Sequence, residues 1–171
     1  MDLFEDCLKK GRLKKTDSDS QVLEQEVRTT LRELERCRQR LACGAWDDAL
    51  TQAYFAYYRA AHTLLLAQGY SDTNVFGLCA GLMRLLVEPG RLSPESVTRL
   101  REAKDQKDIL YEGGLRASAD EARDMAIAAV AFVRQVLTIL ELPGFPPGSV
   151  PTSLPALKLH RHRPRRHQGP S

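Results

Sequence analysis

Apolar residues recur every three or four positions along most of this chain, which is the spacing of an amphipathic α-helix. The apolar positions of the successive stretches are, in chain order, Leu23, Val27, Leu31, Leu34 and Leu41; Trp46, Ala49, Leu50, Ala53, Tyr57, Ala60, Ala61 and Leu64; Val75, Cys79, Leu82, Met83 and Leu86; Val97 and Leu100; and Ala122, Met125, Ala126, Ala129, Val133, Val136, Leu137 and Leu140. No stretch shows the alternation of a half-buried strand. The pattern predicts an all-α, up-and-down bundle of four to five helices.

Capping residues and helix breakers mark where these helices begin and end. The expected caps, in chain order, are one of Ser18, Asp19 and Ser20, then Asp72, then Ser93 before a proline, and then Ser118 with Glu121 as a capping box. Gly69, Pro89-Gly90 and Gly113-Gly114 are expected to end helices. The predicted organisation is a leader with a short helix over residues 1–17, the bundle over 18–142, and a proline-rich, basic, disordered tail over 143–171.

Composition and charge place the chain among globular proteins and locate its basic part. Hydrophobic residues make up 43% and charged residues 27% of the 171 positions, as expected for a single domain with a real core. The net charge is +3, but five Lys or Arg and no acid lie in 143–171, so the rest is nearly neutral. No apolar run reaches the roughly 20 residues that span a membrane, and the N-terminus lacks a signal sequence, so a cytoplasmic location without membrane contact is expected.

The stretch REAKDQKDILYEGG, at 101–114, belongs to a predicted helix whose apolar face is followed by charged residues and a tyrosine. On a helical projection Lys104, Lys107 and Tyr111 fall with Leu100 in an arc of about 80°, bordered by Asp108. Lysines on an inner face predict either a wet cleft that receives anions or a partner acid such as Asp108, because a lone buried ammonium group is costly. In the alternative interpretation, a slightly rotated face buries Leu100, Ala103 and Leu110, with Lys104 at its boundary and Tyr111 as a partly buried core aromatic. Periodicity alone does not choose between the two.

Several segments, in this order, resemble the HEPN family of helical-bundle domains, and within it the small stand-alone bacterial and archaeal group. They are LKKGRLKK, WDDALTQAYFAYYRAAHTLLLAQGY, GRLSPESVTRLREAKDQKDILYEG and SADEARDMAIAAVAFVRQVLTIL, and together they cover residues 3–141. The resemblance implies a helical bundle that commonly forms homodimers and often works beside a nucleotidyltransferase in toxin and antitoxin or stress and defence systems. In many members it also implies RNA cleavage.

The chain departs from the pattern of the RNA-cleaving members, which carry an arginine and a histidine a few residues apart on the fourth helix. No histidine lies between His62 and His160. Lys104 and Tyr111 match the spacing with a lysine for the arginine and a tyrosine for the histidine. Tyrosine, with an ordinary pKa of about 10, is a poor base at neutral pH, and lysine lacks the forked phosphate contact of arginine. Asn74 also stands where many members of the group have a histidine.

These departures favour a non-catalytic or weakly catalytic module over an enzyme. The first hypothesis is a nucleotide- or RNA-binding and interaction protein, paired with a nucleotidyltransferase, whose cleft is lined by Lys104, Lys107, Asp108, Tyr111 and Asn74. The second is a metal-independent HEPN ribonuclease with an altered site made by the lysine and the tyrosine. The resemblance also makes Tyr111 a candidate acceptor of a nucleotidyl group from the partner. The third is a nucleic-acid-binding protein in which the basic tail does most of the binding.

Other chemistry-bearing residues have simpler interpretations beside functional ones. Tyr54, Tyr57, Tyr58, Arg59 and His62 share one helix and could stack bases and contact phosphate, but a lone histidine at this position is more often satisfied or exposed than catalytic. The cysteines form no CxxC pair and are most simply packing residues. The tail histidines, at 160, 162 and 167, lie among arginines that repel cations, so no metal and no cofactor is expected.

Overall fold

The structure is a computed structural model that describes residues 2–151 and 153–155. Its helices and strands, in chain order, are α1 (Leu3–Lys9), β1 (Leu13–Lys15), α2 (Ser20–Ala42), α3 (Trp46–Ala67), β2 (Tyr70–Asp72), α4 (Val75–Leu82), which continues as a π-helical turn (Met83–Val87), α5 (Pro94–Glu112), α6 (Ala119–Leu140) and a 3₁₀ turn (Pro147–Ser149). The all-α bundle predicted from the apolar spacing is confirmed, with one small sheet added to it.

Helix α3 is the centre of the bundle, and α2, α5 and α6 pack around it. It is apolar on nearly every side, as a helix surrounded by others must be. Its buried side chains include five alanines, which let the neighbouring helices approach closely: Ala49, Ala53, Ala56, Ala60 and Ala61. Between α3 and α6 the rings of Tyr57 and Phe132 stack with centroids 4.0 Å apart. The apolar stripe expected for this helix is therefore the core of the molecule.

The caps of the long helices follow the sequence in most places and differ at α4. Asp19 caps α2 by accepting a hydrogen bond from the Val22 amide, and Ser118 and Glu121 form the expected capping box of α6. The expectation that Asp72 caps the third long helix is wrong. The side chain of Asn74 accepts from the Gly77 amide at 2.8 Å instead, and Asp72 ends β2, where its carboxylate has other partners. Any short polar side chain in extended backbone can cap, so the position was ambiguous by two residues.

A two-stranded antiparallel sheet ties the leader to the bundle, and the sequence did not predict it. Leu13 pairs with Asp72 and Lys15 with Tyr70. Three residues are too few for an alternating pattern to be recognised, and the two strands are distant in the chain. The packing beside the sheet is tight. A Cβ atom at Gly77 would lie 2.3 Å from the backbone oxygen of Arg12, so only glycine permits this approach of α4 to the leader.

The first part of the predicted tail packs against the bundle. Val150 is 2% exposed and belongs to the core, and the guanidinium of Arg28 lies 5.4 Å from the centre of the Phe145 ring. Arg123 of α6 donates a 2.7 Å hydrogen bond to the carbonyl oxygen of Pro155. The expectation of disorder from residue 143 therefore does not describe this segment, because Phe145, Val150 and Leu154 pack against the core. The predicted basic and histidine-rich part of the tail, from Lys158 onward, lies outside the described residues.

None of the helices within the described ranges is both long and apolar enough to cross a membrane.

Candidate functional site

The structure shows which of the two faces projected from the sequence of α5 is buried. Leu100 and Ala103 are fully buried, Leu110 is half-buried, and Lys104 lies at the boundary with its side chain 40% exposed. This is the rotated face of the alternative interpretation. Tyr111 departs from both interpretations, because it is 71% exposed and is neither part of an inner cleft nor of the core. Tyr111 lies one residue before the helix ends at Glu112.

Two lysines of α5 share one carboxylate. The ammonium group of Lys104 donates a short hydrogen bond to Asp108, and the Lys107 nitrogen lies 2.7 Å from the other carboxylate oxygen. The hydrogen bonds from Lys104 and then Lys107 lower the pKa of the Asp108 carboxyl, and the bond to Asp108 raises the pKa of Lys104. At neutral pH the trio therefore carries one net positive charge, on ammonium groups whose positions the carboxylate fixes.

Lys107 joins this charged trio to the aromatic side of α3. Its nitrogen lies 5.2 Å from the centre of the Tyr54 ring and 5.9 Å from that of Tyr111, and its side chain is 21% exposed. A cation at such a distance over a ring is attracted by the ring's electron density. The predicted association of Lys104, Lys107 and Asp108 is thus present, and Tyr111 touches its outer edge.

A row of aromatic rings runs along α3 at intervals of one helical turn. The rings of Tyr54 and Tyr58 have centroids 6.2 Å apart, and those of Tyr58 and His62 are also 6.2 Å apart and nearly parallel, at 15°. Tyr57 does not belong to this row, because its hydroxyl donates to the Ser96 carbonyl on another side of the helix. Arg59 also points elsewhere, toward Glu26 of α2.

The end of this row is held by a buried carboxylate. The side chain of Asp72 is 0% exposed, and its two oxygens have separate partners. The Tyr58 hydroxyl donates to one oxygen at 2.8 Å, and Nδ1 of His62 lies 2.5 Å from the other. Burial, and then the negative charge of Asp72, raise the pKa of the Tyr58 hydroxyl, which therefore stays a donor. One ring nitrogen of His62 therefore has a hydrogen-bond partner, as the simpler interpretation of this residue expected.

Electrostatic effects connect the aromatic row with α4 and α5. Burial raises the pKa of Tyr54 to about 12, and the charges of Asp108 and Asp72 add to the rise. Burial raises the pKa of the Cys79 thiol to about 11, while Arg101 of α5 lowers it and Asp72 raises it. Both carboxylates therefore act on the same small region.

We call this region the α3–α5 face. Its members come from α3, β2 and α5, and they are Tyr54, Tyr58, His62, Asp72, Arg101, Lys104, Lys107 and Asp108. Sequence reasoning missed the pairing of His62 with Asp72, which are ten residues apart and meet only because β2 folds back onto α3. The sequence signal for this pairing is slight: His62 follows Tyr58 by four residues, and Asp72 lies beyond the end of the same helix.

Asn74, the remaining residue of the predicted cleft, has a structural task. Its side-chain oxygen caps α4, and none of the hydrogen bonds among the described residues brings it to the lysines of α5. The hollow of about 300 Å³ bounded by residues 44–48, Arg116 and Ala117 lies at the opposite end of α3. There Asp47 accepts a 2.6 Å hydrogen bond from the Ala117 amide, which joins the start of α3 to the loop before α6.

The cysteines and histidines of the described part of the chain form no group of three ligands that could hold a metal ion. Cys7, Cys37 and Cys79 are free and buried, in agreement with the packing interpretation, whereas Cys43 is exposed at the end of α2. Burial raises the pKa of the Cys37 thiol to about 12, so it is an inert packing residue at neutral pH.

In comparisons with known proteins, no family model matches this chain, and no curated protein matches it.

Proposed function

We propose that the protein is a HEPN-type helical bundle that binds RNA or a nucleotide through phosphate groups at the α3–α5 face. One observation carries this proposal: Lys107 lies against Tyr54 of the aromatic row and also shares Asp108 with Lys104. Cations placed beside aromatic side chains are the combination with which proteins bind single-stranded nucleic acid. The order of the four long helices supports the HEPN part of the proposal.

The charge balance of the face favours an anionic ligand. Lys104 and Lys107 share Asp108 as their ion-pair partner. Arg101 is exposed and forms no ion pair within the described ranges. The face therefore has more cationic than anionic groups, since Asp72 is buried and occupied by Tyr58 and His62. Tyr58 is partly exposed, which favours contact with a base, whereas Tyr54, at 5% exposed, supports Lys107 from beneath.

Binding of a fluorescein-labelled single-stranded RNA, followed by anisotropy over a series of salt concentrations, tests the proposal. Lys107→Gln and Arg101→Gln should each weaken binding and lower the slope of log affinity against log salt by about 1, the contribution of one phosphate contact. Arg32→Gln is the matched control, because Arg32 is exposed on α2 and forms no ion pair among the described residues. Equal slopes for all three variants would rule out this face as the binding surface.

A truncated chain distinguishes RNA binding by the basic tail from RNA binding by the α3–α5 face. A chain ending at Pro155 keeps Val150 and Phe145 in place and removes the basic residues from Lys158 onward. If that chain loses its RNA affinity while Lys107→Gln retains it, the tail is the binding element, as in the third hypothesis. If the truncated chain binds and remains sensitive to Lys107→Gln, the α3–α5 face carries the binding.

The ribonuclease hypothesis based on Lys104 and Tyr111 gains no support from the geometry. The ammonium group of Lys104 is held by Asp108, and Tyr111 neighbours Lys107 instead. The exposure of Tyr111 does support its proposed role as the acceptor of a nucleotidyl group, since a 71% exposed ring leaves the hydroxyl open to a second protein. Coexpression with a nucleotidyltransferase encoded beside it, followed by intact mass measurement, should give a mass increase that Tyr111→Phe abolishes.

The proposed homodimer and nucleotidyltransferase complex are tested together. Size-exclusion chromatography with light scattering on the protein alone gives its oligomeric state, and the same measurement on the coexpressed pair gives the stoichiometry of the complex. A monomer that does not copurify with the nucleotidyltransferase would remove both partners from the proposal.

A further inference from the structure

Helix α6 has one side that the rest of the described chain leaves uncovered. Its buried side packs against α3 and α2, and the 3₁₀ turn of the C-terminal segment also contacts it. On the uncovered side Ile127 is 49% exposed, and Ala131, one turn further along, is exposed as well. On a helical projection both fall in an arc of about 80° with two charged residues, Asp124 and Arg134. We call these four residues the α6 stripe.

The middle of the α6 stripe has the relief of a helix-packing surface. Two hollows lie beside Ala131, which bounds both of them. The first, of about 280 Å³, lies toward Val130 and Leu154, and the second, of about 230 Å³, lies between α6 and the start of α5. Ile127 projects one turn away from this depression. A projecting side chain beside a depression is the relief with which one helix interdigitates with another.

The ends of the α6 stripe carry opposite charges that have no partner nearby. Asp124 is exposed and Arg134 is half-buried, and neither forms an ion pair within the described part of the chain. They are ten residues apart, or about 15 Å along the helix, so they do not pair with each other. Both charges are therefore available to groups of another molecule.

We infer that the α6 stripe is a contact surface between two copies of this chain, whose α6 helices lie antiparallel about a two-fold axis at the level of residue 129. In that arrangement Ile127 of each copy lies opposite Ala131 of the other, so a large side chain meets a small one twice. Asp124 of each copy then lies opposite Arg134 of the other, so an acid meets a base twice. A shift by one turn would place the two isoleucines against each other, or each of them against Gln135.

This self-complementarity is what favours a second copy over an unrelated partner. A two-fold contact requires one surface to complement itself, whereas a contact with a different protein sets no such condition on α6. The apolar middle and charged ends of the stripe also match the usual division of an interface into an apolar core and a polar rim. The inference assigns a surface to the proposed homodimer. It includes no residue of the α3–α5 face and does not depend on RNA binding.

A charge exchange tests the contact, with dimerisation measured by sedimentation velocity over a series of protein concentrations. Asp124→Arg and Arg134→Asp should each weaken dimerisation by about 10-fold or more, because each places like charges together at two points. The double variant, which exchanges the two charges, should restore dimerisation to near that of the unaltered protein. Asp17→Arg and Arg32→Asp are the matched controls, since both residues are exposed and form no ion pair among the described residues.

The apolar middle of the stripe is tested separately. Ile127→Ala should weaken dimerisation by about 10-fold or more, because the side chain is buried twice in the dimer. The melting temperature of the monomer should change little, since Ile127 is 49% exposed there. If Arg134→Asp does not fold, Ile127→Ala and Asp124→Arg, both at exposed positions, decide the question without it.

The results that contradict the inference also locate the error. A dimer that none of these variants weakens, or a double variant that dimerises no better than the single ones, overturns the α6 contact and leaves the proposed homodimer in place. A protein that is monomeric at every concentration overturns both. A monomer that instead loses a complex with the nucleotidyltransferase on Ile127→Ala gives this surface to that partner and also overturns the inference. RNA binding at the α3–α5 face, measured by anisotropy, stands or falls independently of these results.

Discussion

Replacing Val150 by alanine measures how much the proline-rich segment contributes to the fold. Val150 is 2% exposed although it lies beyond the last long helix, in a stretch whose composition predicts disorder. The change removes two methyl groups' worth of apolar surface, or about 1.6 kcal/mol of transfer free energy. Incomplete closure of the cavity adds to this loss, so the free energy of unfolding should fall by roughly 2 kcal/mol. For a chain of this size that corresponds to a melting temperature lower by roughly 4 to 8 °C.

The assay is thermal and urea denaturation followed by circular dichroism at 222 nm. Ser149→Ala is the matched control, because Ser149 is next to Val150 but has an exposed side chain with no hydrogen bond among the described residues. Two truncations extend the test: a chain ending at Pro155 should melt like the full chain, and one ending at Leu142 should lose more stability than Val150→Ala. A Val150→Ala variant within 0.5 kcal/mol of the control would refute the reasoning, since the segment would then add nothing to the core.

Three further predictions concern the leader contact, a cap and an ion pair. Gly77→Ala should destabilise by roughly 2 kcal/mol or more, because its Cβ would lie 2.3 Å from the Arg12 carbonyl oxygen, whereas Gly144→Ala, with no atom within 4 Å, should be neutral in the same melts. Asn74→Ala should cost about 1 kcal/mol through the lost cap and leave RNA affinity unchanged; weaker binding at equal stability would return this residue to the site. The stability that Asp108 contributes should be full at neutral pH and be lost as pH falls through its lowered pKa; NMR titration should show that pKa return toward the ordinary value when both lysine partners become methionine.

How far the site could be predicted depended on how local its contacts are. The trio of Lys104, Lys107 and Asp108 lies on one helix, so its members meet wherever α5 forms, and projection of the sequence was enough to group them. The orientation of the trio was not predictable in the same way. Which face of α5 is buried depends on the packing of Leu100 and Ala103 in the core, and the exposure of Tyr111 near the end of the helix follows from neither projected face.

The sequence by itself determined the elements that rest on local patterns: the helices from their apolar spacing and the capping box at Ser118. Only the tertiary structure decided what those patterns do not encode. The pairing of β1 with β2, the contact of Asp72 with His62 and the burial of Val150 each join parts of the chain that are distant or separated by a turn. Such contacts depend on how helices settle against one another, and a short strand, a single carboxylate or one valine carries no periodic signal from which that arrangement can be inferred.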